Sequence, residues 1–402
     1  SNTSSHSNGL ETIALEGASF LPLPLSDSLV ITIKMTELQR VKAIALSGTP
    51  GGDGSPIIMT ILSNATKDLI GNINTDQEVQ SVTEIADTIH PVVKSVEVDL
   101  NNGKVVVNVS ETVDLTPAVS KVNLTGLSFA NNTGDRSIVL GGASVIENDG
   151  LQVTLFLTAL QRVHAIEHSS QPGGDGGVMS FETLASSLLD IGQNGNYFQQ
   201  NVPVVEIPDT TPPMFYDVSI NYSQGLIVFN VSEYLDVTPA STKIVVSQLR
   251  LSNVLGDHVI TLDSPSFIVE KDDPSLTLQL SESQRYQAVQ ISGTPGGDSS
   301  PVIMELFEGF ARDIGQVRSR NQTFVNVTEY NDVVGPVLLR AEINYTFGNL
   351  TVFGSETLDA DPASQVSLDK FFLVDSAGDQ NIGLVGAISV PSESLQIDIR
   401  LT

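Results

Sequence analysis

The sequence predicts an all-β protein, a tandem array of antiparallel β-sandwich domains of about 122 residues each. The first observation is internal repetition, because Pro-Gly-Gly-Asp occurs three times at spacings of 122 and 123 residues, at Pro50–Asp53, Pro172–Asp175 and Pro295–Asp298. The second is a succession of short β-rich runs separated by turn residues, which is typical of sandwiches. Short solenoid repeats have smaller periods, whereas this period has the size of a whole domain.

Other anchors keep the same spacing and divide the chain. The boundaries predict a partial repeat at 1–86, complete repeats at 87–208 and 209–331, and a partial repeat at 332–402. Because both partial repeats would leave open sheet edges, we expect further sequence of the same polypeptide, or a neighbouring chain, to complete them. The anchors are the arginines Arg40, Arg162 and Arg285, the Ser-Glu-x-x-Asp motifs Ser110–Asp114, Ser232–Asp236 and Ser355–Asp359, and the opening aspartates Asp87, Asp209 and Asp332.

The repeat 209–331 illustrates the predicted elements in order. Asp209–Pro213 stiffens the start, and Gln224-Gly225 forms the turn of the first hairpin. Only Glu308–Asp313 suits a helical turn, and no run has a sustained helical period. The predicted strands are Phe215–Ile220, Leu226–Ser232, Lys243–Leu249, His258–Leu262, Ser266–Glu270, Ser275–Leu280, Tyr286–Ser292, Val302–Leu306 and Thr323–Thr328.

Composition excludes several classes of function. The net charge is −28 with only 19 Lys and Arg residues, which argues against nucleic-acid binding because phosphates require basic side chains. No run approaches the ~18–20 apolar residues of a membrane-spanning helix. The absence of cysteine excludes disulfides, thiolate metal sites and thiol catalysis. A hydrophobic share of 40% is that of a globular chain, not a disordered one.

Asparagine sequons predict a secreted, N-glycosylated protein. Eleven Asn-x-Ser/Thr sites are present, whereas composition alone would give roughly four. Chance in a chain rich in Ser, Thr and Asn is the alternative. Asn108 lies opposite Val105, Val107 and Val109 in an alternating strand, so period two directs it to solvent. The sequons begin at Asn2, Asn64, Asn108, Asn123, Asn131, Asn221, Asn230, Asn321, Asn326, Asn344 and Asn349.

Three motifs carry a resemblance to a known family. A strand leads into Ser110–Asp114, and the repeats end in Asp-Leu-Ile-Gly-Asn at Asp68–Asn72 and Asp-Ile-Gly at Asp313–Gly315. These resemble the start and end of the bacterial Ig-like domains of surface-layer proteins. Asp209–Pro213 is similar to linkers of tandem Ig-like adhesins. The resemblance implies Ig-like domains with structural or adhesive roles and no catalysis. Sequons point instead to a eukaryotic, algal or protist, surface protein built from such domains.

Recurring acids suggest one cation hypothesis. Carboxylates at the linker and at both ends of a repeat could meet at a domain junction and bind calcium, which prefers oxygen ligands. The alternative is that they form Asx turns and strand-end hydrogen bonds. The recurring acids are Glu111, Asp114, Glu233, Asp236, Glu356 and Asp359, the opening Asp87, Asp209 and Asp332, and the late Asp68, Asp190 and Asp313.

Neither catalytic nor cofactor-binding residues are expected. Pro-Gly-Gly-Asp lacks the Lys-Ser/Thr and the helix of a phosphate-binding loop, so we interpret it as a tight loop between strands. His6, His90, His164, His168 and His258 share no repeat position, and His164 and His168 are predicted to lie in a strand without a third zinc ligand. No Ser-His-Asp arrangement recurs.

Two functional hypotheses remain. The first is a structural subunit of an extracellular, glycosylated fibre, surface hair or cell coat, whose partners are copies of itself or further repeats of the same polypeptide. The alternative is a stalk that presents the binding domain of an adhesin or receptor. Contacts between chains discriminate the two hypotheses, because a stalk needs none.

Overall fold

The computed structural model describes residues 12–21, 27, 29–79, 82–131, 137–262, 266–267 and 271–402. The sequon at Asn2 and the histidine His6 lie outside these ranges. Contacts divide the chain into two units, Ser1–Thr211 and Pro212–Thr402. No helix in the described ranges is long and apolar enough to cross a membrane.

The first unit begins with small, separate elements. Strand β1 (Ser19–Leu21) pairs antiparallel with β2 (Thr32–Lys34), and helix α1 (Glu37–Ala45) follows directly. Strands β3 (Met59–Ile61) and β4 (Gln77–Val79) then form a two-stranded hairpin of their own.

The remainder of the first unit is a sheet of eight strands in the order β8-β7-β11-β12-β5-β6-β10-β9. Its strands are β5 (Val93–Asp99), β6 (Lys104–Val113), β7 (Leu127–Asn131), β8 (Ser137–Val139), β9 (Ser144–Val145), β10 (Gly150–Phe156), β11 (Met179–Thr183) and β12 (Gln199–Ile207). Its helices are α2 (Ala118–Lys121) and α3 (Ala159–Glu167), and Leu124–Gly126 forms a 3-10 turn.

Strand β12 joins the two halves of this sheet, because it pairs with β11 of one half and with β5 of the other. Its first half pairs antiparallel with β11, while Val204–Ile207 run parallel to β5. Asn201, with φ of 58°, lies where the strand changes partner. The alternating valines of β6 explain its inward face, since Val105, Val107 and Val109 are buried whereas Asn108 is half-buried on the other face.

The second unit contains a sheet of the same order, β16-β15-β19-β20-β13-β14-β18-β17. Its strands are β13 (Phe215–Asn221), β14 (Leu226–Leu235), β15 (Leu249–Asn253), β16 (Val259–Thr261), β17 (Ser266–Phe267), β18 (Asp273–Gln279), β19 (Val302–Leu306) and β20 (Gln322–Tyr330). Its helices are α4 (Ala240–Lys243) and α5 (Glu282–Gln290), with a 3-10 turn at Val246–Gln248.

The core of this sheet contains an aromatic cluster. Phe215, Phe229 and Phe310 are buried, and their ring centroids lie 5.4 to 6.0 Å apart. Such tilted and edge-to-face contacts add to the stability gained from burial alone. Tyr222 is also fully buried, and its hydroxyl donates to Glu329 Oε2 at 2.8 Å.

The second unit ends in a smaller sheet of order β21-β22-β26-β25 and a separate pair, β23 with β24. A small core of Leu350, Val352, Leu358, Ile397 and Ile399 lies beneath it. The 3-10 turns are Ala363–Gln365 and Leu368–Lys370, and the strands are β21 (Leu338–Asn344), β22 (Asn349–Asp359), β23 (Phe372–Val374), β24 (Asn381–Gly383), β25 (Ile388–Ser389) and β26 (Glu393–Arg400).

The predicted all-β sandwich class is confirmed, but three local predictions within residues 209–331 were wrong. Tyr286–Ser292 lies mostly in helix α5, because the capping box of Ser281 and Gln284 starts a helix there. Lys243–Leu249 contains the end of α4 and a 3-10 turn, so a strand begins only at Leu249. Glu308–Asp313, predicted as a helical turn, forms turns and isolated bridges instead.

Candidate functional site

The capping box at the start of α1 positions an arginine beside the segment that opens at Asp87. Thr36 Oγ1 accepts from the backbone amide of Gln39 at 3.3 Å, and Gln39 Oε1 accepts from the backbone amide of Thr36 at 2.9 Å. This arrangement places Glu37 and Arg40 one turn apart on the same side of α1. Arg40 Nε and Nη2 donate to the two oxygens of Glu37 at 2.9 and 2.8 Å.

The same guanidinium also binds two carboxylates that lie 47 and 71 positions later in the chain. Arg40 Nη1 donates to Asp87 Oδ2, and Nη2 donates to Glu111 Oε2 at 3.1 Å. Glu37 Oε1 also accepts from the amide of Thr112 at 2.9 Å. One arginine therefore ties together α1, the linker that opens at Asp87 and the Ser-Glu motif of β6. We call these four side chains, Glu37, Arg40, Asp87 and Glu111, the first arginine clamp.

An equivalent second arginine clamp lies in the second unit, with every member 245 positions later. Arg285 binds both oxygens of Glu282 at 2.7 and 2.8 Å, Asp332 Oδ2 at 2.6 Å and Glu356 Oε2 at 2.9 Å. Glu282 Oε1 accepts from the amide of Thr357 at 2.7 Å. The same four residue types therefore form the same arrangement once in each unit.

The corresponding arginine of helix α3, Arg162, makes different contacts. Arg162 donates from Nη2 to Asp209 and from Nε to the carbonyl of Leu100 at 2.5 Å. Ala159 occupies the position that Glu37 and Glu282 have in the other two helices. Arg162 Nε therefore donates to the Leu100 carbonyl, whereas Arg40 Nε donates to Glu37.

Burial and charge separate the pKa values of the clamp carboxylates. Hydrogen bonds from Arg40 lower the pKa of Glu37 to about 2. Burial, together with the negative charge of Asp190, raises the pKa of Glu111 to about 7. Burial also raises the pKa of Asp190 and of Glu356. The arrangement offers charge pairing, and no nucleophile with its own base lies in it.

Acids from the linker and from both ends of a repeat do meet, as the recurring pattern predicts. One carboxylate oxygen from each of Asp87, Glu111 and Asp190 lies within 4.8 Å of the other two. These are the residues of the first unit that could hold a metal ion. By contrast, Asp68 is exposed, and Asp114 pairs with Lys121 Nζ at 2.8 Å.

Pro-Gly-Gly-Asp forms a tight loop, but each copy connects a helix to a strand and not two strands as predicted. A Cβ on Gly52, Gly174 or Gly297 would lie 2.0 to 2.2 Å from a serine carbonyl oxygen, so only glycine fits there. Asp53 Oδ1 accepts from the Ser55 amide at 2.8 Å, which closes an Asx turn. At Gly51, a Cβ would lie 1.8 Å from the Ile191 carbonyl oxygen.

The strand prediction for His164 and His168 was wrong. His164 lies in α3 and His168 caps its end, because the Thr158–Gln161 capping box starts a helix. His164 Nδ1 lies 2.9 Å from Glu167 Oε2, and His168 Nδ1 lies 3.7 Å from Asp175 Oδ2. His90 Nδ1 lies 2.6 Å from the Gly195 carbonyl, and His258 is exposed.

The described sequons differ in exposure. Asn108 and Asn221 are half-buried, while Asn131 is buried and its amide donates to Asp175 Oδ2 at 2.6 Å. Glycosylation stays a prediction at all of these sites. The exposed sequons are Asn64, Asn123, Asn230, Asn321, Asn326, Asn344 and Asn349.

Sequence reasoning missed Glu37, Glu282 and the role of the arginines. Leu-Gln-Arg, Leu-Gln-Arg and Ser-Gln-Arg recur visibly, but their function depends on a helix that the strand prediction excluded. The signal that could have found it is the Thr/Ser-x-x-Gln capping box, which stands before all three arginines.

Comparisons give no family for the chain. No known protein family matches it. No curated protein matches it either. A marsupial T cell receptor is 11% identical with a TM-score of 0.17, covering 78% of this chain and 100% of the receptor chain. Domains 1–6 of the surface layer protein SbsC are 10% identical with a TM-score of 0.21, and the match spans 78% of this chain but only 51% of that one. The adhesin domain of Epf from Streptococcus pyogenes is 10% identical with a TM-score of 0.18, covering 56% and 72%.

Proposed function

We propose that this chain is a structural subunit of an extracellular, glycosylated fibre, surface hair or cell coat built from tandem Ig-like repeats. The observation that carries the proposal is the repeated arginine clamp. Glu37–Arg40–Asp87–Glu111 and Glu282–Arg285–Asp332–Glu356 each join a helix of one repeat to the linker and the β-strand of the next.

A clamp of this kind suits a mechanical role. Asp87 and Glu111 side chains are 10% and 8% exposed, and the guanidinium fork binds carboxylates in a fixed plane. Neighbouring repeats with such contacts keep one orientation, so length grows with the number of repeats. Free linkers would let each repeat turn independently.

The smaller sheet of the second unit has an open edge at β21. Strand β21 pairs with β22, whereas its equivalents β5 and β13 each pair on the other edge with a parallel strand as well. Tyr345 is 85% exposed, although its repeat counterpart Tyr222 is fully buried. We propose that further repeats or copies of the chain cover this edge.

Charge and sequons fit a secreted surface location within this proposal. A net charge of −28 keeps assemblies soluble through mutual repulsion. N-glycans at exposed sequons such as Asn230 and Asn326 would cover the outer face of the sandwich.

The test is secretion of the 402-residue chain from a eukaryotic host, followed by intact-mass analysis and sedimentation velocity over a range of concentrations. We expect a mass above 42.8 kDa and assembly that increases with concentration. A Leu338→Lys, Tyr345→Lys variant should stay monomeric, while Val259→Lys, an exposed change within a complete sheet, should assemble normally. A chain that stays monomeric throughout supports the stalk alternative instead.

A further inference from the structure

A cavity of about 250 Å³ lies beside the first arginine clamp. Its lining consists of five charged or polar residues, Glu37, Arg40, Asp87, Ser110 and Glu111, and the apolar Ile89. The space is large enough for an ion together with several water molecules.

Two of the lining carboxylates, those of Asp87 and Glu111, meet a third, that of Asp190, which lies next to them but does not line the cavity. Asp87 comes from the linker, Glu111 from β6 and Asp190 from the Asp-Ile-Gly turn. One oxygen of each lies within 4.8 Å of the other two, and Asp190 is fully buried. With Glu37 they bring four formal negative charges against the single positive charge of Arg40.

An independent observation points to a missing ligand. Glu111 is 94% buried, since its exposed fraction is 6%, and its Oε1 atom is buried without a hydrogen-bond partner, while Arg40 binds only Oε2. The same oxygen of Glu356 in the second clamp is buried and unpartnered too. A buried carboxylate oxygen without a partner is costly, so a bound cation would remove the penalty at both positions.

We propose that Asp87, Glu111 and Asp190 bind a calcium ion beside Arg40. Oxygen donors alone select a hard cation, not zinc or copper. Calcium accepts six to eight oxygens in irregular geometry, so three carboxylates can be completed by waters in the cavity. Magnesium is less suited because it requires a near-ideal octahedron and shorter bonds.

The second unit provides a natural comparison within the same chain. Asp332 and Glu356 correspond to Asp87 and Glu111, and among the described residues no third carboxylate converges with these two. The described chain therefore offers two of the three ligands at the second clamp. We expect calcium to bind there more weakly than at the first.

The experiment is calorimetric titration of the chelator-treated full chain with calcium chloride in 0.15 M NaCl, which screens diffuse binding. Asp190→Asn should weaken the tightest site at least tenfold and remove about one bound ion per chain. Magnesium should bind this site at least tenfold more weakly than calcium. Asp68→Asn should leave the titration unchanged.

Asp68 is a closely matched control for Asp190. Asp190 Oδ1 accepts from the Asn194 amide at 2.7 Å and Oδ2 from its side chain at 3.0 Å. Asp68 makes the same two bonds to Asn72 at 2.8 and 2.7 Å, but it is exposed. The two variants therefore disturb equivalent turns, and only Asp190→Asn removes a proposed ligand.

The isosteric Glu111→Gln variant provides a second route if Asp190→Asn does not fold, and it should also lose the tight site. Equal calcium binding by wild type, Asp190→Asn and Glu111→Gln would overturn the proposal, as would equal affinity for magnesium. This result is separate from the proposed function, because a chain that assembles without binding calcium refutes only the ion site.

Discussion

Replacing Arg285 by alanine tests the energetic role of the second clamp. The change removes five hydrogen bonds, four to carboxylate oxygens at 2.6 to 2.9 Å and one to the Tyr222 carbonyl at 3.0 Å. It leaves three carboxylates whose side chains are 15 to 25% exposed. Removing one partner of a buried ion pair costs about 3–5 kcal/mol.

The expected cost lies at the lower end, about 3 kcal/mol, because these carboxylates regain part of their hydration and can take up protons. This corresponds to a roughly 100-fold increase in local opening, since 1.4 kcal/mol is a factor of ten. Hydrogen exchange followed by mass spectrometry measures it at the Thr357 amide, which donates to Glu282, and at the Val334 amide, which donates to Asp332.

Two further variants make the result interpretable. Arg285→Lys keeps the charge but loses the planar fork, so its exchange should be intermediate. Arg320→Ala removes the same charge from an exposed position of the same unit and should change exchange by less than about 0.5 kcal/mol. Unchanged exchange at Thr357 in Arg285→Ala, or an equal effect in Arg320→Ala, would refute the reasoning.

Three other outcomes follow from single contacts. Tyr222→Phe removes the hydroxyl that binds Glu329 and should cost about 1 kcal/mol in urea unfolding, whereas a neutral result would show that the bond contributes nothing. Gly174→Ala should cost about 2–3 kcal/mol because its Cβ would meet the Ser169 carbonyl at 2.0 Å, and Gly176→Ala, with open space around it, serves as the milder control. The pKa of Glu37 in the folded protein is about 2, below its usual value near 4.5. Its contribution to the stability of the folded state is therefore fully present above pH 4.5 and is lost as the pH falls toward 2. The protection of the Thr112 amide, which is its exchange rate compared with the intrinsic rate at each pH, should therefore fall over that range in wild type but not in Glu37→Gln. The measurement is made in the presence of chelator.

Local patterns predicted the sandwich well, and long-range pairing could not be predicted from them. The hairpin of β13 and β14 follows from alternation on both sides of Gln224-Gly225, and the structure confirms it. The parallel pairing of β12 with β5 joins segments more than 100 residues apart, and no local signal specifies it. The purely antiparallel expectation is corrected there.

The helices show a second limit of pattern reasoning. Helix α5 spans only nine residues and presents Gln284, Arg285 and Ala288 to the interior, so its buried face is partly polar. Apolar periodicity is weak in such a helix, which begins because of its capping box and persists because of its tertiary contacts. The clamp was therefore half predicted, since its linker and strand carboxylates were identified and the helix that carries its arginine was not.

Cryo-electron microscopy of the secreted, glycosylated chain in its assembled state tests the central claim most directly. That claim is that arginine clamps hold successive repeats in one fixed orientation within a structural array. The account predicts that a single rotation and translation relates every pair of neighbouring repeats, with arginine density bridging the helix, linker and Ser-Glu motif at each junction. Repeats that adopt many orientations relative to their neighbours, or junctions without that bridge, would contradict it.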